Sequence, residues 1–239
     1  MANIIKQNES NRSMSTKEIW QNIHANSELV KQSHFLENIY PSKCAQSFHM
    51  FHVKPSFENH KTINFLDIGC GSGTNLELFT GNNYLTTGID ISPAAIELAS
   101  KRYRDLAKFH IAESTKLPIE SNSQDFILAD CSLCYCQTLN DYSKSVDEMF
   151  RVLKPGGQAR IYDHADDDLM VSSSNIKSDQ IYYSKSKWES SMPTICLREE
   201  TIFNFYSKFS KILLGREIFN HINSDKSKQH SFWIITVTK

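Results

Sequence analysis

Apolar positions along the chain recur at two spacings, and the change from one to the other divides it. From about residue 63, short apolar runs alternate with stretches of helical period. "INFLDIG" predicts a strand, "SGTNLELFTG" a short helix stopped at Gly81, "LTTGIDI" a second strand, and "SPAAIELASKRYRDL" a helix capped by Ser92 with Pro93 in its first turn. "KFHIAES" and "SQDFILADCSLCY" hold the third and fourth strands, "LNDYSKSVDEMFRVL" a helix, "KPGG" a turn and "QARIYDH" a fifth strand. Regular alternation of this kind predicts an α/β fold with a doubly wound, mostly parallel sheet.

The flanks read differently. "STKEIWQNIHANSELVKQSHFLENIY" predicts one or two amphipathic helices, with Ser15 and Glu18 spaced as a capping box, and Pro41 opens a further helical stretch. Residues 16–60 are therefore read as a helical cap, and the polar residues 1–15 as disordered. Residues 61–239 form the main domain. Within it, 164 to about 197 has little periodicity and much Ser, Asp and Lys, which predicts a long functional loop, a lid. "REETIFNFYSKF" resumes as a helix, and "SKILLGREIF" and "SFWIITVTK" predict a final antiparallel pair of strands.

Composition narrows the classes of partner. The chain has 239 residues, enough for one large domain with its own core, and a formal net charge of −1. No basic excess argues for nucleic acid, and no apolar run approaches the roughly 20 residues of a membrane helix. The N-terminus has no apolar signal-like run, so the protein is read as cytoplasmic, a monomer or homodimer. Its six cysteines are then free thiols. "CSLCYC" contains a C-x-x-C, but no second pair completes a zinc site, and Cys44, His49 and His52 read as packing residues, so no metal is expected.

The candidate chemistry lies in "FLDIGCGSGTN", where Gly69, Gly71 and Gly73 follow a strand and precede a helix. A dinucleotide fingerprint needs G-x-G-x-x-G, and here the third glycine comes one residue early. Asp67 sits two residues before the turn, a poor neighbour for a pyrophosphate and a good one for a cation. Asp90, about 20 residues on, ends the second strand, where an acidic side chain commonly accepts from ribose hydroxyls. That feature suits a dinucleotide and S-adenosylmethionine alike. Glu113 and Ser114 end the third strand on the side an adenine would occupy.

Taken in order, "FLDIGCGSGTN", "TGIDISPAAIELA", "AESTKLPIESNSQDFILAD" and "EMFRVLKPGG" resemble the motifs of the class I S-adenosylmethionine-dependent methyltransferases. The resemblance covers about residues 63 to 162. It implies a Rossmann-like seven-stranded sheet with an antiparallel C-terminal strand, and S-adenosylmethionine as cofactor. It implies that Asp67 and the backbone of Gly69, Cys70 and Gly71 face the methionine end, that Asp90 holds the ribose hydroxyls and that Ile91 packs on the adenine. Glu113 stands where the family usually has Asp, so the backbone at Ser114 is the alternative adenine contact. Asp130, ending the fourth strand, is placed to meet the methionine ammonium. Trp20 and Tyr40 resemble the N-terminal cap of small-molecule methyltransferases and either touch cofactor or substrate or pack in the core.

Two catalytic candidates follow. His164, after the fifth strand, is read as a general base or as an exposed loop histidine. Tyr135, just past the fourth strand, either orients the acceptor or lines the pocket. Tyr182, Tyr183 and Trp188 suggest an aromatic lid over the acceptor. The function expected is methyl transfer to a small-molecule acceptor by direct displacement. The alternatives are an RNA or protein methyltransferase, a nicotinamide-dependent oxidoreductase, which the glycine spacing disfavours, and a non-catalytic cofactor-binding scaffold. The Pro-Pro-Tyr or Pro-Pro-Phe signature of adenine and amide methylation is absent from "ADCSLCYC".

Overall fold

The structure, a computed structural model, describes residues 15–26, 40–58, 62–169, 171, 174–184, 192–220 and 229–239. The segment expected to be disordered lies outside these residues up to position 14, as does Trp188. Five parallel strands carry the first part of the main domain: β1 (Ile63–Ile68), β2 (Tyr84–Asp90), β3 (Ala107–Ile111), β4 (Gln124–Asp130) and β5 (Leu153–His164). There follow β6 (Ser174–Ser178), β7 (Ile181–Ser184), β8 (Pro193–Ile195), β9 (Lys211–Asn220) and β10 (Gln229–Thr238). The main sheet has seven strands in the order β3-β2-β1-β4-β5-β10-β9, and β10 runs antiparallel to both its neighbours. This is the doubly wound sheet with an antiparallel C-terminal strand that the sequence predicts. Strand order reverses between β1 and β4, and a crevice opens beyond the C-terminal ends at such a point.

The helices are α1 (Thr16–Ala25), α2 (Lys43–Phe48), α3 (Pro93–Tyr103), α4 (Leu139–Val152) and α5 (Glu199–Phe205). Each of the first four starts at a hydroxyl cap. The Ser15 side chain accepts from the Glu18 amide at 3.3 Å while Glu18 accepts from the Ser15 amide at 2.8 Å, completing the capping box. Ser42, Ser92 and Thr138 cap α2, α3 and α4, and an Ala in such a position costs about 1 kcal/mol. The short helix expected after Gly73 is a 3-10 helix, Thr74–Phe79.

Side chains alternate across the sheet, so β1 feeds two cores. Ile63 and Phe65 pack with Phe48, Phe79 and Phe126 beneath α2, and Phe65 stacks on Phe79 with centroids 3.7 Å apart. Leu66 and Ile68 face the other side, with Tyr142, Val146 and Met149 of α4 and Ile202 of α5. Burial on both faces explains why β1 and β4 read as near-continuous apolar runs.

Two expectations are corrected. "KPGG" is not a turn before β5 but part of it. Leu153 pairs with Gln124 and Gln158 with Phe126, so residues 154–157 bulge out of the ladder. A Cβ on Gly157 would lie 2.9 to 3.1 Å from the carbonyls of Lys154, Asp125 and Gln124, which is why glycine stands there. The described part of residues 164–197 is not an irregular loop either. A turn at Asp166–Asp168 leads into a separate antiparallel sheet, β6-β7-β8. Met192, just before β8, is 1% exposed and packs with Ile19 and Ile23 of α1 and with Cys134 and Tyr135. Among the described residues no helix is long and apolar enough to cross a membrane.

Candidate active site

The glycine turn is built by backbone strain that glycine tolerates. Gly69, Gly71 and Gly73 have φ of +75°, +54° and +85°. The amides of Gly69 and Cys70 both donate to the Ile89 carbonyl, at 2.7 and 3.0 Å, which ties the turn to β2. The three bare positions serve different ends. A Cβ on Gly69 would lie 2.3 Å from Ser132 Cβ, and one on Gly73 2.6 Å from the Tyr103 ring. Those two glycines are required by packing. The bare side of Gly71 meets only His24 Nε2, at 3.8 Å, and opens into a cavity of about 830 Å³.

This cavity occupies the crevice at the strand ends. Ten of the eleven residues expected at the cofactor line it: Trp20, Tyr40, Gly69, Cys70, Gly71, Asp90, Ile91, Glu113, Ser114 and Asp130. Tyr135 lines it as well. Asp90 links the turn to the second strand, since its carboxylate accepts from the Gly71 amide at 2.9 Å and the Ser92 amide at 2.8 Å. Burial raises its pKa, and the backbone amides at Ser92, Gly71 and Ile91 oppose that rise. Glu113 and Ser114 lie just beyond β3, which ends at Ile111. Glu113 is exposed, and the Ser114 hydroxyl is 2.8 Å from that of Ser145.

Asp67, the eleventh residue, lies off the cavity wall. It is 1% exposed, its Oδ2 has no hydrogen-bond partner, and burial followed by the charges of Asp130 and Asp90 pushes its pKa well above the ordinary carboxylate range. Asp130 is joined to two residues that sequence reading overlooked. Its Oδ2 accepts from the Ser42 hydroxyl at the start of α2 and from Asn75 Nδ2 at 3.1 Å, and Asn75 Oδ1 in turn accepts from the Ser42 amide at 2.9 Å. The signal for Ser42 was its place directly after Pro41, where a cap hydroxyl belongs. Asn75 carries no such signal, because its role depends on a contact 33 residues away.

His164 does not meet the expectation of a loop residue or of a base facing the acceptor. It ends β5, is 2% exposed, packs its ring 4.6 Å from Phe232 and sets Nδ1 3.4 Å from Asp168. It is not among the residues lining the cavity. The aromatic lid is corrected in the same way. Tyr182 is buried with Cys196, Tyr183 packs on the main core, and neither lines the cavity.

The wall beside β4 is held from behind. Asp163 accepts from the Cys134 amide at 3.2 Å and from the Tyr142 hydroxyl at 2.8 Å, and Tyr142 meets Tyr206 of the segment after α5 at 3.0 Å. Burial pushes Asp163 up to about 7. Burial also raises the thiols of Cys70, Cys131 and Cys134 well above their ordinary range, and that of Cys136 to about 11. These cysteines are neutral thiols, not thiolate nucleophiles. Among the described residues no cluster of His, Cys, Asp or Glu is arranged to hold a metal ion.

Polar atoms left open around this cavity allow a test of the cofactor that the motifs imply. His24 Nε2 and Ser132 Oγ, both on residues of the cavity wall, are buried without partners. A buried polar group in that state calls for a ligand that completes it. S-adenosylmethionine, with a positive sulfonium and ammonium and several hydrogen-bond donors, suits a wall carrying Asp90, Glu113 and Asp130. Comparisons with known proteins agree. Residues 66–161 match the methyltransferase domain family. The chain is 32% identical over 117 residues to sterol 4-C-methyltransferase strm-1 of Caenorhabditis elegans, covering 47% of this chain and 34% of that protein. It is 24% identical over 188 residues to a demethylmenaquinone methyltransferase of Staphylococcus epidermidis, covering 77% and 63%. The chain thus spans less than two thirds of the length of either relative. Its fold matches that of N-methyltransferase NodS from Bradyrhizobium japonicum in complex with S-adenosyl-L-homocysteine, with a TM-score of 0.59 at 15% identity over 92% of this chain and 96% of that one. Residues 66–161 thus carry a methyltransferase domain, and S-adenosylmethionine is the cofactor its site fits.

Proposed function

We propose that the protein transfers the methyl group of S-adenosylmethionine to a small, neutral or cationic acceptor. The observation that carries this reading is the single cavity in which the glycine turn, Asp90 and the end of β4 meet α1. Its volume, about 830 Å³, is in the range of small-molecule sites and leaves room beside a cofactor for an acceptor of modest size. Among the described lining residues, Asp90, Glu113, Asp130 and Asp141 are carboxylates and Lys17 is the one Lys or Arg, an environment that repels phosphorylated acceptors. The relatives whose names mention sterol and menaquinone support a small-molecule acceptor.

When bound, the cofactor supplies a methyl group already activated by its positive sulfur. The chain's residues have to bind, orient and exclude water. Asp90 accepts from the ribose hydroxyls, Ile91 covers the adenine, and the backbone near Ser114 meets the adenine edge. Gly69, Cys70 and Gly71 pass along the methionine end, and Asp130, fixed by Ser42 and Asn75, holds the ammonium. Tyr135 and Tyr40 bound the acceptor space, and Trp20 lies beside the cofactor. A cytoplasmic location fits six cysteines that are all free.

The test is incubation of the purified protein with S-adenosylmethionine carrying a deuterated methyl group and a panel of amines, phenols, neutral terpenoids and phosphorylated metabolites, read by mass. Label is expected in the neutral or amine classes. Label confined to phosphorylated compounds, to RNA or to protein would overturn the proposal.

A further inference from the structure

The helical cap brings a residue to the cavity that none of the sequence motifs marks. His24 lies in the last turn of α1, is 7% exposed and lines the cavity. Its Nδ1 is 2.9 Å from the Trp20 carbonyl. A carbonyl only accepts, so Nδ1 carries the proton, and in the neutral ring Nε2 presents its lone pair. That nitrogen is buried and has no partner.

What surrounds Nε2 indicates its ligand. It lies 3.8 Å from the bare side of Gly71, whose amide donates to Asp90. The imidazole, the glycine and the carboxylate thus converge on one stretch of the cavity. The helix is fixed there from both sides. Gln21 Oε1 accepts from the Ala94 amide at 2.9 Å and from the Ser92 hydroxyl at 3.3 Å, and Trp20 packs its ring against His24 at 5.6 Å and edge-on against Tyr135 at 5.2 Å. At the other end Thr16 meets Gln137. A histidine on this wall with one ring nitrogen buried and unpartnered needs a hydrogen-bond donor.

Resting on the cofactor reading above, we infer that His24 is a cofactor-binding residue whose Nε2 accepts a hydrogen bond from a ribose hydroxyl of the cofactor, opposite Asp90. Donors in S-adenosylmethionine are the two ribose hydroxyls, the adenine amino group and the ammonium. The position beside Gly71 and Asp90 selects the ribose. His24 and Asp90 then grip the sugar from two elements, one in the sheet and one in the cap.

The experiment is titration calorimetry of the whole chain with S-adenosylhomocysteine and with its 2′-deoxy and 3′-deoxy analogues, on the native protein, His24→Phe and His24→Gln. Phe keeps the ring against Trp20 and removes the acceptor, whereas Gln places an oxygen at a reach similar to that of Nε2. His24→Phe is expected to lose about tenfold in affinity for S-adenosylhomocysteine, and to lose nothing further with the one analogue that lacks the bonded hydroxyl. His24→Gln should recover part of the loss and its dependence on that hydroxyl. Equal affinity of native protein and His24→Phe, or an equal loss for all three ligands, would overturn the inference. If His24→Phe does not fold, His24→Gln decides: identical behaviour toward both analogues overturns it. Failure of the native protein to bind S-adenosylhomocysteine would overturn the cofactor reading itself, a separate outcome.

Discussion

Two additions to the sheet, α1 and the β6-β7-β8 sheet, stand in the sequence reading as a cap and a lid, and they do different work. The helix puts Thr16, Lys17, Trp20 and His24 on the cavity wall. The small sheet puts no described residue there; Met192, just before β8, packs with Tyr135. One forms the lining and the other supports it. Polar composition did not separate them. What does is where each lies relative to the C-terminal ends of β1 and β4, which topology decides and local sequence does not.

The division can be tested, and it recurs inside the glycine turn. Gly69→Ala forces a Cβ to within 2.3 Å of Ser132 Cβ at positive φ, whereas Gly71→Ala meets open space. The first should cost about 4 kcal/mol of stability, a fall in melting temperature of about 10 °C. The second should cost about 1 kcal/mol and act mainly on cofactor affinity. Similar melting curves for the two would break the distinction between packing and cavity glycines.

Met192→Ala is expected to cost about 3 kcal/mol in denaturant unfolding, with affinity for S-adenosylhomocysteine changed less than about fivefold. Trp20→Ala should do the reverse: a loss of about tenfold in that affinity by calorimetry, with a smaller effect on melting. If Met192→Ala weakened binding more than Trp20→Ala, the supporting role of the small sheet would be wrong.

An effect spread over pH concerns the support behind β4. Asp163 is raised to about 7, above its value in the unfolded chain, so the native state binds the proton more readily. The stability this contributes is complete below about pH 4 and is lost as pH rises through about 7. Against Asp163→Asn, the native protein should lose on the order of 1 kcal/mol per pH unit across that window, read from urea unfolding at a series of pH values. A difference between the two that does not change with pH would remove Asp163 from the account.

Much of this was legible because periodicity and turn chemistry are local. Ser92 before Pro93, the capping box at Ser15 and the alternation from Ile63 onward each fix an element with few neighbours. Asp90 and Gly71 were legible through spacing, since parallel pairing of Asp67 with Gly88 brings the two strand ends level. Asn75 and His24 were not, because each acts through a contact with a segment distant in sequence. His164 was misread for a related reason. Its chemistry suits a base, but as the last residue of β5 its side chain is set by the pleat, between Phe232 and Asp168.

Trp20 gives the cleft an optical property of its own. Its indole forms part of the cavity wall, whereas the indole of Trp233 is enclosed in the core, donating to the Leu197 carbonyl at 2.7 Å beneath the Arg216 guanidinium. With Trp188 replaced by Phe, a positively charged sulfonium entering beside Trp20 is expected to quench or shift its emission and to leave that of Trp233 unchanged. Occupancy of the cleft can thus be followed by intrinsic fluorescence, with no label attached.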